Sequence, residues 1–331
     1  MLAAVCYGIS SPAAKIILEN VPPVLMASML YLGAGLGMLA VNIFRRKRTR
    51  QKEARITNKE FQFTIAMVAL DIAAPIFLMV GLTMTTSATA SLLGNFEIVA
   101  TTIIAMAAFK EAIGKRMWIA IAFITIASII LSVEHFGNLS LSLGAMFVLL
   151  ACVCWGAENN CTNKLSLKNP LQIVVIKGVG SGVVSLVIAL LMGERITGLW
   201  FIAPALLLGF ASYGLSIYFY ILAQRGLGAS RTSAFYAFAP FIGVGLSFVL
   251  FRQIPTVSFL IALGVMVIGA YLAAFEKHEH VPLRPQAIVR FVLKKRNDPA
   301  AGTAPCSTKN QAPPFSASIT ASPIPVQVTR R

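Results

Sequence analysis

The chain has 331 residues, of which 57% are hydrophobic and only 12% are charged. Soluble domains carry roughly 25% charged residues, so this composition excludes an ordinary soluble domain and indicates a membrane protein. The net charge of +16 does not indicate nucleic-acid binding, because the basic residues flank apolar runs instead of covering a water-exposed face.

Ten apolar runs follow one another along the chain, and each is close to the ~20 residues that an α-helix needs to cross a bilayer. The first run begins at once and has neither a basic leader nor a small-residue cleavage site. We therefore expect a membrane span there rather than a signal peptide. A break between the eighth and ninth runs is expected at 225–228. The predicted spans are 2–19, 22–44, 61–82, 86–109, 115–133, 142–163, 170–192, 199–222, 229–251 and 255–275.

The loops between the predicted spans differ in charge. The stretch 45–60 holds eight basic and two acidic residues, and Lys110, Lys164 and Arg225 lie in loops on the same predicted side. Cytoplasmic loops of membrane proteins carry an excess of Lys and Arg. Both termini are therefore predicted inside, with the protein in the cell (inner or plasma) membrane and in contact with its lipid.

Two short motifs recur in the same order along the chain. Val-Cys-Tyr-Gly at 5–8 returns as Val-Cys-Trp-Gly at 153–156, and Phe-Lys-Glu at 109–111 is matched by Phe-Arg-Gln at 251–253. Five spans per half is an odd number, so the second copy must enter the membrane from the opposite side. The pattern predicts an all-α inverted 5+5 repeat. The predicted units are a first repeat at 1–134, a second repeat at 141–276 and a disordered basic tail at 281–331.

Two carboxylates fall near the middle of the predicted bilayer. Asp71 lies ten residues into the third span, about 15 Å deep, and Glu97 lies eleven residues into the fourth, about 16 Å from the other face. A charge at this depth costs ~2.5–3.5 kcal/mol, so both are candidates for binding a proton or a cationic group. The alternative is that each is protonated and bonded to a neighbouring helix for packing alone. Asn95, two residues before Glu97, completes this candidate substrate site.

The sixth predicted span ends in Glu158, Asn159 and Asn160, which cover most of a helical turn. They are candidates for the cytoplasmic side of the substrate site. Lys177 on the seventh span lies in the same leaflet, so we expect a Glu158–Lys177 ion pair. Such a pair could hold the structure or a gate as well as contact the substrate, since a charge at this depth needs a partner.

Four aromatic residues are candidates for lining a cavity. Tyr7 and Trp155 occupy equivalent places in the two halves, and Tyr213 and Tyr236 lie on the eighth and ninth spans. Their rings could stack on a substrate, although most rings in a helix bundle simply pack. No nucleophile elbow, phosphate loop or metal-ligand spacing stands out, so we predict no enzyme activity, no metal site and no cofactor.

Motifs in both halves carry a family resemblance. The opening Tyr-Gly-Ile-Ser-Ser-Pro with Lys15, and the segment 88–98 leading to 109–111, are followed in the second half by 228–240 and 251–253. Over about residues 2–276 the chain resembles the EamA-type carriers of the drug/metabolite transporter superfamily. The resemblance implies ten helices, an inverted repeat, both termini inside and a central cavity that opens alternately to each side. It also implies export of amino acids, related metabolites or drugs.

Two further motifs resemble a subgroup of that family, namely Asn-Phe-Glu-Ile at 95–98 and Cys-Trp-Gly-x-Glu-Asn-Asn at 154–160. Members of this subgroup often end in a long His-rich tail. Residues 276–280, Glu-Lys-His-Glu-His, begin such a tail, and the chain departs from it at Val281. The departure weakens any metal-handling role inferred from the tail.

We therefore predict a secondary transporter that exports small polar or amphipathic metabolites, such as amino acids, by alternating access and with proton coupling. Two alternatives stay open at this point. One is transport of divalent metal cations, motivated by the midplane carboxylates and the start of a His-rich tail. The other is an integral membrane enzyme or lipid-handling protein, which would need a cluster of His or Ser groups that the sequence does not show.

Overall fold

The computed structural model describes residues 2–48, 60–135, 140–166, 168–195, 198–252 and 254–275, and the predicted tail at 281–331 lies outside them. Thirteen α-helices make up most of the described chain. A 3-10 turn at Leu199–Phe201 precedes α10, and a π-helical segment at Phe210–Leu215 joins α10 to α11. The helices are α1 (Leu2–Gly8), α2 (Ser10–Ile17), α3 (Pro23–Arg48), α4 (Phe61–Met84), α5 (Ser87–Leu93), α6 (Phe96–Phe109), α7 (Lys115–Ser132), α8 (Leu143–Leu165), α9 (Pro170–Leu191), α10 (Ile202–Gly209), α11 (Ser216–Tyr236), α12 (Phe238–Phe251) and α13 (Val257–Ala274).

Eight helical segments among the described residues are long and apolar enough to cross a membrane. Two shorter apolar segments, Leu2–Ile17 and Phe238–Phe251, occupy the places of the first and ninth predicted spans. Many of their outward side chains are large and apolar, as expected for helices that face lipid. The helical membrane architecture predicted from the sequence is thus confirmed.

The structure differs from the prediction in two places. The halves are joined by a short antiparallel strand pair, β1 (Val133–His135) with β2 (Ser140–Leu141), where only a loop was expected. Helix α11 also continues through 225–228, and the chain breaks instead at Ala237. Glycine lowers helix propensity by only ~1 kcal/mol, so two glycines in an otherwise helical segment do not by themselves end a helix.

The two halves repeat the same elements at a constant spacing. Helices α6 and α12 both have 14 residues and start 142 residues apart, and α7 and α13 both have 18 residues with the same offset. The residues that end α6 and α12 are Lys110 at φ 55° and Arg252 at φ 48°. A left-handed conformation is uncommon for a residue with a side chain, so its recurrence at matched positions marks a duplicated structure.

Close contacts between helices repeat as well. A Cβ added at Gly8 would lie 2.8 Å from Ile242 Cβ, and one added at Gly156 would lie 2.6 Å from Ala100 Cβ. Gly8 and Gly156 are the glycines of the recurring motif, and Ala100 and Ile242 are again 142 residues apart. Each half therefore inserts its motif glycine against the same position of an equivalent helix, where only a hydrogen fits.

The equivalent helices α3 and α9 run antiparallel. Gly35 lies against Val179 near the middle of both helices, and the N–H of Leu25 at the start of α3 donates to Glu194 Oε2 at 2.7 Å, just beyond the end of α9. Two copies that pack with opposite direction are related by a two-fold axis perpendicular to the helices, as in an inverted repeat. The most extensive helix contacts also join one half to the other: α3 packs with α9, α4 with α8, and α7 with α13.

Candidate functional site

A cavity lies between the two halves, with about 450 Å³ of empty space when the part open to solvent is counted. It is walled by α1, α3, α4, α6, α8, α9, α11 and the π-helical segment. Of the eleven residues predicted to form the site, nine line this cavity: Tyr7, Asp71, Glu97, Trp155, Glu158, Asn159, Lys177, Tyr213 and Tyr236.

One side of the cavity is a buried charge network. Lys177 Nζ lies 2.7 Å from Glu158 Oε1 and 3.2 Å from Asp71 Oδ2, and all three side chains are almost fully buried. The Tyr31 hydroxyl donates to Asp71 Oδ1 at 2.8 Å, and the Thr162 hydroxyl donates to Glu158. One ammonium group is therefore shared by two carboxylates, and hydroxyl donors satisfy part of their remaining capacity.

Glu97 faces the same cavity but stands apart from this network. It lies in the first turn of α6, just after the chain breaks at Gly94 and Asn95. The N-terminal end of a helix dipole favours a carboxylate there. Asn159 Nδ2 donates to Glu97 Oε1 at 2.6 Å, whereas within the described part of the chain no basic side chain reaches ion-pairing distance of Glu97. Glu97 is thus the cavity carboxylate without a cation.

Aromatic rings form the rest of the wall. Tyr7 lies at their centre, with ring centroids 5.3 Å from Tyr236, 5.7 Å from Tyr213 and 6.2 Å from Trp155. The Tyr7 and Trp155 rings are nearly perpendicular, at 83°. Because these two residues are equivalents in the repeat, they meet close to the two-fold axis between the halves.

A second, smaller chamber of about 340 Å³ lies on the other side of that ring pair. Tyr7 and Trp155 line both spaces. Along α8 the second chamber is bordered by Cys152, before Trp155, whereas the charged cavity is bordered by Glu158, after it. Among the described residues, no charged side chain lines the second chamber. The Tyr7–Trp155 pair therefore separates a charged cavity from a neutral one.

Asn95 and Asn160 are not part of the cavity lining, contrary to the prediction. Asn160 Nδ2 donates to the carbonyl oxygens of Thr101 at 3.0 Å and Gly156 at 2.9 Å, so it ties α8 to α6. Successive helical residues point about 100° apart, which sends Asn159 into the cavity and Asn160 into the neighbouring helix. Asn95 is buried at the break between α5 and α6.

Four lining residues were not among the predicted site residues, and three of them carried a sequence signal. Thr162 is four residues after Glu158, and Ile217 is four residues after Tyr213, so each shares a helix face with a predicted residue. Tyr220 follows Tyr213 by seven residues, again two helical turns along one face. Tyr31 stands alone in the apolar run of α3, and nothing in its spacing distinguishes it from a packing residue.

The described residues offer no obvious metal site. No three His, Cys, Asp or Glu side chains among them lie close enough together to hold one ion. The cavity instead combines three carboxylates and one ammonium with five tyrosines and one tryptophan. Such a lining suits an organic solute with a polar end better than a bare ion.

The comparisons with known proteins agree with the geometry. The model of the EamA-like transporter family matches residues 1–133 and again residues 142–275. A protein from Methanothermobacter thermautotrophicus named as an uncharacterized transporter is 26% identical over 291 residues, covering 82% of this chain and 83% of that protein. A crystal structure of a protein with 15% identity has a TM-score of 0.62 and covers 85% of this chain and 98% of the other, which shows a shared fold alone.

Proposed function

The chain belongs to the EamA-like transporter family, and from this premise we propose that it is a secondary transporter that exports small metabolites, such as amino acids or related amphipathic compounds, by alternating access. The transported solute enters the cavity between the halves, and coupling to protons drives its export. We place ten spans in the cell membrane, five in each oppositely inserted half, with both termini inside.

The observation that carries this proposal is the partition of one internal space by two equivalent rings. A carrier needs a site that opens to one side while a barrier closes the other. Tyr7 and Trp155 stand between the two chambers, and each ring belongs to a different half. A small rotation of one half against the other would separate these rings and join the spaces, which is the motion that alternating access requires.

The charged residues have different proposed roles. The Asp71–Lys177–Glu158 network joins α4, α9 and α8, so it holds helices of both halves in one arrangement and would resist or permit their movement. Glu97 lines the cavity, and among the described side chains the Asn159 amide is its hydrogen-bond donor. We assign Glu97 the exchange of a proton for the solute, because an uncompensated carboxylate at this depth gains most from acquiring a positive charge.

A transport assay in proteoliposomes tests the proposal. The purified full chain is reconstituted and screened with amino acids and amines, with and without a pH gradient. The expected result is accumulation that follows the gradient for at least one solute. Glu97→Gln should abolish gradient-driven accumulation but preserve exchange of solute for solute, while Glu111→Gln, an exposed carboxylate on a loop, serves as the matched control. Absence of any protein-dependent flux across the full screen would contradict the proposal.

A further inference from the structure

We propose that the central cavity selects amphipathic organic cations, which present an ammonium group to Glu97 and carry no carboxylate of their own. This inference rests on the proposed transport function and, among the solutes proposed there, favours amphipathic compounds that carry an amine over the amino acids. It is argued from the charge inventory of the cavity, the position of Glu97, the aromatic wall and an adjoining apolar pocket.

Carboxylates outnumber ammonium groups in the lining of the cavity. Among the described residues, Asp71, Glu97 and Glu158 contribute three carboxylates to the lining, and Lys177 contributes one ammonium group. Lys177 already contacts both Asp71 and Glu158. A buried carboxylate without a counter-charge is strongly destabilising in a low-dielectric interior. A cation that enters this cavity therefore supplies the counter-charge that the described residues do not provide for Glu97.

Glu97 is the group with room to receive that cation. A carboxylate can accept about four hydrogen bonds, and within the described part of the chain the one at Glu97 accepts a single side-chain bond, from Asn159. An ammonium group has two or three N–H donors to offer. It would donate to the remaining acceptor positions of the Glu97 carboxylate without disturbing the network around Lys177.

The rings beside Glu97 suit an ammonium group for a second reason. Cations bind over the faces of Tyr and Trp rings when they lie within about 6 Å of the ring centre, and desolvated sites strengthen the interaction. The wall contains four such rings in contact: the ring centroids of Trp155, Tyr213 and Tyr236 lie 5.3 to 6.2 Å from that of Tyr7. The Tyr213 side chain is 1% exposed, so this part of the aromatic wall is shielded from bulk water.

A substrate carboxylate finds no comparable partner in this cavity. Lys177 is the basic residue of the lining, and two protein carboxylates occupy it. A zwitterionic amino acid would have to place its own carboxylate beside three others or displace one of them. Like charges at close range are repulsive in a poorly solvated site. The cavity thus discriminates against amino acids and in favour of the corresponding amines.

The apolar part of the ligand has a place as well. A pocket with about 680 Å³ of empty space shares Tyr220 and Tyr236 with the charged cavity. Its remaining wall is mostly apolar and includes Leu2, Phe219 and Phe235. A solute with its amine at Glu97 can direct a hydrocarbon or aromatic portion toward this pocket, which explains the amphipathic character.

Direct binding measurements test the inference on the full-length protein. Trp155 is one of three tryptophans, and the other two, Trp118 and Trp200, are exposed. Replacing those two by Phe leaves Trp155 as the single fluorescent reporter in the cavity. The probes form a matched series: 2-phenylethylamine, its N-methyl analogue, phenylalanine, 2-phenylethanol and 3-phenylpropanoate.

The two cations should bind at least about tenfold more tightly than the alcohol, the amino acid and the anion, which corresponds to about 1.4 kcal/mol. Glu97→Gln should remove this preference and leave binding of 2-phenylethanol unchanged, whereas Glu111→Gln should retain it. The Trp155 emission maximum and the thermal unfolding temperature establish that each variant is folded. Should Glu97→Gln fail to fold, Tyr236→Leu against Tyr236→Phe measures the loss of the ring in its place.

The outcomes separate this inference from the proposed function. Equal or tighter binding of phenylalanine or 3-phenylpropanoate overturns the cation preference. Stabilisation by Mn²⁺ alone that exceeds the effect of the amines and disappears in Glu97→Gln also overturns it, in favour of a metal ion. Tight, Glu97-dependent binding of amines without flux in proteoliposomes supports the site and contradicts transport. Flux of other solutes without amine binding supports transport and contradicts the proposed amine site.

Discussion

Tyr7 and Trp155 come from matched positions of the two repeats, and their rings meet at 83° with centroids 6.2 Å apart. The pair divides the internal space of the protein, so its removal should connect the two chambers. In the proposed transport cycle, the solute has to pass between these two rings. The predictions below examine this barrier and the contacts that hold it in place.

The first prediction concerns the ring pair as a barrier. Trp155→Ala should expose Cys152, which borders the second chamber, to a membrane-impermeant thiol reagent that enters through the charged cavity. Labelling of a variant with Cys152 as its only cysteine should become roughly tenfold faster in one vesicle orientation. Trp155→Phe keeps a ring and should leave the rate near that of the parent. Equal labelling of all three proteins would show that the pair is not a barrier.

The second prediction concerns the buried charge network. Lys177→Met leaves Asp71 and Glu158 without their cation and should destabilise the protein by about 3–5 kcal/mol. Lys168→Met removes a partly exposed ion pair with Glu60, whose side chains are 21% and 22% exposed, and should cost at most about 1 kcal/mol. Unfolding in detergent micelles measures both values.

A compensated variant completes that test. Combining Lys177→Met with Asp71→Asn and Glu158→Gln removes all three charges at once, and it should recover most of the lost stability. If the triple variant were as unstable as Lys177→Met alone, packing of the lysine stem rather than charge would explain the loss.

The third prediction uses the motif glycines. Gly156→Ala and Gly8→Ala should each destabilise the protein by about 1–3 kcal/mol, because the added methyl group meets an equivalent helix of the partner half. Gly264→Ala on α13 meets no atom within 4 Å and should be neutral or slightly stabilising. Thermal unfolding compares the three variants. A well-tolerated Gly156→Ala would contradict the close approach described here.

The fourth prediction concerns the two helix ends with left-handed backbone. Lys110→Gly and Arg252→Gly should each stabilise the protein by about 0.5–1 kcal/mol, because glycine adopts this conformation without steric cost. Lys115→Gly, inside the first turn of α7, should be destabilising by up to about 1 kcal/mol. Denaturant unfolding of the three variants gives the comparison, and a loss of stability at Lys110→Gly would sink the argument.

Much of the architecture could be predicted from the length of the apolar runs and from the charge of the loops, since both are local properties of the chain. The spans were located by length alone, and the recurring Val-Cys-Tyr-Gly motif predicted the duplication. That Gly8 and Gly156 each pack against an equivalent helix of the other half was not predicted, because it depends on how the two halves come together. The helix break between the eighth and ninth spans was misplaced because a glycine-rich stretch resembles a turn in isolation. Whether it continues as a helix depends on the surfaces around it, which a single sequence does not display.

The cavity was predictable where the chemistry was unusual. A carboxylate such as Asp71 or a lysine such as Lys177 inside an apolar run is costly, and that cost singles it out. Asn159 and Asn160 were indistinguishable in sequence, because only the rotation of α8 decides which one faces the cavity. Tyr31 was missed for a related reason. A tyrosine is common in ordinary packing, and its bond to Asp71 depends on the crossing of two helices.

The dominance of contacts between the halves over those within them bears on how the protein is made. Helices α3, α4 and α7 find their main neighbours in α9, α8 and α13, which the ribosome delivers later. The first five spans can therefore form few of their main packing contacts until the helices of the second repeat have been inserted into the membrane. The carrier is a single interlaced body whose assembly begins only when translation of the second repeat is well advanced.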